Sequence, residues 1–232
     1  MNPNLPNLPI LVLEFLAFLL AISIHEAAHA WVASRRGDDT ARMLGRITLN
    51  PIRHIELFGS VIFPLVGLMA GGWLLGWAKP TPIDPRKLKK MPLDDILISV
   101  AGPVSNLLLA LLAVVGLRIL LIVAPAATAG AFAHLGQPQQ ADSFWVPLTN
   151  FAVYSLELNV LLAVFNLIPI PPLDGSHILR HFLPESLAKP YHLLYQNGMI
   201  CFLLLIGAIY IHIPDMLFTP VMNAFSHLLP AL

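Results

Sequence analysis

Five stretches of this chain, at about 10–33, 57–77, 93–124, 144–170 and 191–213, are long and apolar enough to confine it to one class of fold. Each is near or above the roughly 20 residues that a helix needs to cross a hydrocarbon core. The composition agrees. Of 232 residues, 57% are hydrophobic and 11% charged, with mean hydropathy +0.76, against about 25% charged in soluble domains. The expectation is an all-α, polytopic membrane bundle of four to five transmembrane helices. It forms one domain over 1–232, with a core at 10–190, a last span at 191–213 and an interfacial segment at 214–232.

Thirteen basic residues balance thirteen acidic ones, so no basic excess points to nucleic acid and no acidic excess to a cationic partner. The single cysteine, Cys201, lies in an apolar run, which excludes an internal disulfide framework and a cysteine-rich zinc knuckle. No Lys or Arg precedes Arg35, so the first run lacks the basic leader of a secretory signal and reads as a retained span.

The second run carries Gly59, Pro64, Gly67, Gly71, Gly72 and Gly76, residues typical of re-entrant segments that line a protein cavity. Loop charge supports this reading, because Lys and Arg concentrate on the cytoplasmic side. Arg35, Arg36, Arg42, Arg46 and Arg53 lie before the run, and Lys79, Arg86, Lys87, Lys89 and Lys90 after it. If 57–77 dips in and returns, both groups share the cytoplasmic face with Arg180 and Lys189. The expected topology is four spans with the N-terminus outside, a re-entrant hairpin at 57–77, and a small irregular or β-containing loop on the cytoplasmic side.

Near the end of the first run stands His25-Glu26-Ala27-Ala28-His29. Ionisable groups within a span are costly and are functional candidates by default. At i and i+4 the two histidines are about 40° apart around a helix, so both imidazoles can meet one zinc ion while the intervening Glu acts as base. From Ile10, His25 lies about 22 Å down the helix, near the cytoplasmic edge of the core. Catalytic zinc takes a third protein ligand, and Asp174 is the apt candidate. It follows Asn166-Leu167-Ile168-Pro169-Ile170-Pro171-Pro172-Leu173, where prolines stop the fourth run and expose a carboxylate at membrane depth. Taken alone, the histidines also fit a polar helix end at the headgroups, and Asp174 a simple turn.

These residues, with Ala101-Gly102-Pro103-Val104-Ser105-Asn106, resemble the site-2 protease family of intramembrane zinc metalloproteases. Gly45-Arg46-Ile47-Thr48-Leu49-Asn50-Pro51 and Ala78-Lys79-Pro80 look like its compact prokaryotic branch, without a peptide-binding or nucleotide-sensing domain. The similarity spans about 21–185. It implies that His25, His29 and Asp174 hold one Zn2+ per chain and that Glu26 activates the zinc-bound water to cleave a transmembrane protein substrate in the bilayer of a prokaryotic cell. Two rivals stand beside it. A metal transporter would use the His and Asp cluster as a transit site, and an inactive escort would keep the fold without metal.

The remaining candidates are weaker in the sequence. Asn106 can pack a helix break, position substrate or donate to an oxyanion, and Asn166 pairs at i+7 with Asn159 on one helix face. His54 and His177 are candidates for groups behind the ligands. Glu14, on nearly the same face as His25, is too far away to ligate, and 214–232 reads as an amphipathic helix at the outer interface.

Overall fold

In a computed structural model of the chain, residues 8–69, 76–133 and 144–229 are described. Helix α1 (Leu8–Arg36) is rich in alanine, and buried Ala17, Ala21, Ala30 and Ala33 let neighbouring backbones come close. It stops at Gly37, whose φ of +113° is a left-handed position that glycine takes without steric cost. The N–H of Asp38 then bonds the Ala33 carbonyl at 2.9 Å, completing the cap. Arg35 and Arg36 in the last turn suit the negative end of the helix dipole.

After the single turn α2 (Thr40–Met43), the chain runs through turns and a 3-10 turn at Pro51–Arg53. A π-helical turn at Leu57–Ile62 leads into α3 (Phe63–Met69). Residues 76–77 then lie against the start of that segment: Trp77 N–H donates to the Gly59 carbonyl (3.0 Å), and Ser60 Oγ donates to the Trp77 carbonyl (2.7 Å). A segment whose two ends are bonded together enters and leaves at one level, so 57–77 does not cross. The glycine pair Gly71-Gly72 lies outside the described residues.

The bundle is made by α1, α4 (Leu93–Val123) and α6 (Trp145–Asn166), which pack on one another. One core cluster joins Val114 and Leu117 of α4 to Leu156 and Val160 of α6; a second joins Phe18 and Ile22 of α1 to Leu158 of α6. Between α4 and α6 runs α5 (Pro125–Ala133). After α6 come α7 (Asp174–Leu179), α8 (Glu185–Gln196), α9 (Gly198–Tyr210) and α10 (Ile213–Ser226). Phe218, Val221, Met222 and Phe225 lay α10 on the first core cluster.

Among the described residues three helices, α1, α4 and α6, are long and apolar enough to span a bilayer. The last apolar run differs from the single span expected: α8 and α9 meet at 100°, because Asn197 leaves helical geometry and turns its side-chain amide back onto the Leu193 carbonyl. Neither is a span by itself, and a fourth span is counted only if the bent pair is taken as one. Among the described residues no strand forms, and the loop expected to be irregular or β-containing is irregular. Outward residues of α4 such as Leu108, Leu112, Ile119 and Ile122 are 55% exposed or more, an apolar belt of the kind that lipid covers.

Candidate metal centre

One turn of α1 presents His25 and His29 towards α4 and α7. Both are buried, and their rings meet edge to face with centroids 4.7 Å apart. Asp174, the first residue of α7, brings Oδ2 to 3.2 Å from His25 Nε2 and 3.4 Å from His29 Nε2. These three are the one group of potential metal ligands that converges among the described residues.

The donor set fits a bound cation on two observations. First, Asp174 Oδ2 is buried yet has no hydrogen-bond partner. His29 Nδ1 lies 2.7 Å from the Ile98 carbonyl; a carbonyl only accepts, so Nδ1 carries a proton and Nε2 is the nitrogen left to face a cation. Second, α4 leaves a cradle there. A Cβ on Gly102 would lie 2.4 Å from His29 Nε2 and 2.5 Å from His25 Nε2, so only glycine keeps the space before these atoms open.

Asp174 is delivered by the break after α6. Gly175 packs against the Leu167 and Ile168 carbonyls, where a Cβ would come within 2.2 Å of the first. Tyr195 OH donates to Ser176 Oγ (2.9 Å), and Tyr191 OH lies 3.0 Å from the Pro169 carbonyl. On the far side of α7, Arg180 and His181 both reach Asp95 Oδ2 of α4, at 2.7 and 2.6 Å. That clamp fixes α7 against the helix carrying Gly102.

Glu26 is held from another side. Its Oε2 accepts from Thr81 N–H (2.8 Å) and Thr81 Oγ (2.7 Å). Thr81 is positioned in turn by the buried Arg46, whose guanidinium reaches the carbonyls of Arg53, Lys79 and Pro80 and so ties the loop before the hairpin to the one after it.

The other candidates separate. Asn106, fully buried on α4, sits behind His25: its Oδ1 is 2.5 Å from His25 Nδ1 and its Nδ2 donates to Asn159 Oδ1 at 2.7 Å. Asn166 instead folds back onto the Leu162 carbonyl. His54 is fully buried with Nε2 bonded to the Thr48 carbonyl, and His177 lies 3.8 Å from Asp95 and edge-on to Tyr195; neither belongs to the converging group. Sequence reasoning gave no role to Gly102, Thr81 or Asp95. For Gly102 a signal existed, since glycine before proline inside an apolar span marks a close approach.

Residues 13–208 match peptidase family M50. The chain belongs to that family, the site-2 proteases. A relative in Bacillus subtilis, named "Putative zinc metalloprotease YwhC", is 36% identical over 199 residues, covering 85% of this chain and 82% of the relative. "Putative zinc metalloprotease Rip2" of Mycobacterium tuberculosis is 28% identical over 190 residues, which are 76% of this chain and 60% of that protein. No solved structure matches. As a member of M50 the chain is a zinc metallopeptidase and a multi-pass membrane protein.

Proposed function

We propose that the protein is an intramembrane endopeptidase that cuts transmembrane protein substrates, holding one zinc ion with His25, His29 and Asp174 and using Glu26 as its base. The observation that carries this reading is the meeting of three ligand atoms from α1 and α7 beside a glycine that leaves room for an ion. Zinc, when bound there, supplies a Lewis acid that polarises a peptide carbonyl and acidifies water.

The chain's own groups account for the rest. Glu26 takes the proton of the attacking water and returns it to the leaving amine. Thr81 fixes the carboxylate for that exchange: two donors occupy Oε2, and Oε1 is left without a hydrogen-bond partner among the described residues. The substrate must unwind, since a helix keeps its carbonyls bonded and shields them. The bacterial relatives support a place in a bacterial cytoplasmic membrane.

Purified Glu26→Gln is expected to retain zinc and lose cleavage of a reconstituted transmembrane substrate by at least about 100-fold. Undiminished cleavage would remove Glu26 from its role as base.

A further inference from the structure

We infer that Asn106 and Asn159 form a directional amide relay that selects the tautomer of neutral His25, so that Nε2 is the nitrogen turned towards Asp174 and free to take a metal. The inference rests on the metal-centre reading above and assigns Asn106 as a positioning residue for a ligand.

The direction of the relay is set at its far end, by an atom with no choice. Asn159 Nδ2 is 2.7 Å from the backbone carbonyl of Ser155, which can only accept, so the amide of Asn159 must point its NH2 there. Its Oδ1 then faces Asn106 and accepts from Asn106 Nδ2 at 2.7 Å. Asn106 in turn presents Oδ1 to His25 Nδ1 at 2.5 Å. An amide oxygen also only accepts, so His25 Nδ1 carries a proton, and the neutral imidazole that a metal requires is then bare at Nε2.

Reversing Asn106 alone would set two amide oxygens against each other and put an N–H opposite His25 Nδ1, moving the ring proton to Nε2. That proton would then point at Asp174 Oδ2, where the ion belongs. Asn106 and Asn159 are 0% and 3% exposed, so water does not compete for these bonds, and partners of this kind orient ligand imidazoles and raise their basicity. His29 obtains the same protonation from the Ile98 carbonyl, a backbone atom that no substitution removes. The two ligands of one motif are thus oriented differently, and only His25 depends on side chains.

The test combines zinc affinity, from competition with a chelator, and the imidazole N–H spectrum of 15N-histidine protein in detergent, with His25 assigned by substitution. Wild type is expected to show a slowly exchanging His25 Nδ1 proton. Asn106→Leu should lose that signal and bind zinc about 10–100-fold more weakly. Asn106→Asp, which still accepts the proton, should stay within about threefold of wild type, as in carboxylate–histidine–zinc triads. Zinc binding by Asn106→Leu at wild-type affinity with the Nδ1 signal kept overturns the relay, and so does a wild-type His25 protonated at Nε2 and not at Nδ1, whatever the variants do. Asp174→Ala separates the two readings. If it too keeps wild-type zinc affinity, the metal centre is misassigned, and the His25 proton of metal-free wild type then decides the relay alone.

Discussion

A methyl group at position 102 would press on both imidazoles, 2.4 Å from His29 Nε2 and 2.5 Å from His25 Nε2. Neither ring can swing aside freely, because each is tethered at Nδ1, His25 to Asn106 and His29 to the Ile98 carbonyl. Overpacking of this sort costs about 1–3 kcal/mol, and here the displaced volume is the ion's own. Gly102→Ala is therefore expected to fold but to carry well under one zinc per chain by elemental analysis; full zinc occupancy would show that the cradle is not where the ion sits. At this scale the sequence showed which residue types were present and not which of them touch. Asn106, Asn159 and Asn166 are the same side chain in apolar surroundings. Two join the relay, while the third, in the last turn of its helix, bonds its own backbone.

Elements are set by local rules and locked by a few buried ions. The loops around the hairpin have no strand ladder among the described residues, so their backbone groups turn to side chains. The fully buried Asp38 accepts from Thr40 N–H (3.0 Å) and Oγ (2.5 Å) and from Asp84 N–H (2.6 Å), joining the end of α1 to the segment after the hairpin. Burial pushes its carboxyl up, but these donors, with Lys87 nearby, hold it below the usual 3.8. A carboxyl more acidic in the folded state than in the unfolded one stabilises fully above its unfolded value and loses that contribution as pH falls below it. Asp38→Asn should thus lower stability by about 1–3 kcal/mol at pH 7. The gap should narrow towards pH 3 in thermal unfolding in detergent; a gap independent of pH would mean that the charge is not what holds the loops. The end of the first apolar run was legible from sequence to within a few residues, whereas the partner of Asp38, 46 residues away, was not.

For the whole molecule, one arrangement brings the loops on either side of the hairpin to the same level as the metal centre. Arg46 ties those loops together, Trp77 returns to Gly59, and Thr81 reaches Glu26. Single cysteines placed at the exposed Met43 and Arg86 in a Cys201→Ala background should therefore be labelled from one and the same face of sealed vesicles. Labelling from opposite faces would contradict the re-entrant fold. The sequence by itself determined the helical class, the extent of α1, α4 and α6, the proline break before Asp174 and the i, i+4 histidine pair, because hydropathy, helix period and proline act over a few neighbouring residues. Only the tertiary structure decided that α8 and α9 bend apart, that Gly102 opens the cradle and that Thr81 and Asn106 orient a carboxylate and an imidazole. Those outcomes depend on which faces of distant helices come within hydrogen-bond reach, and packing sets that distance where local pattern does not.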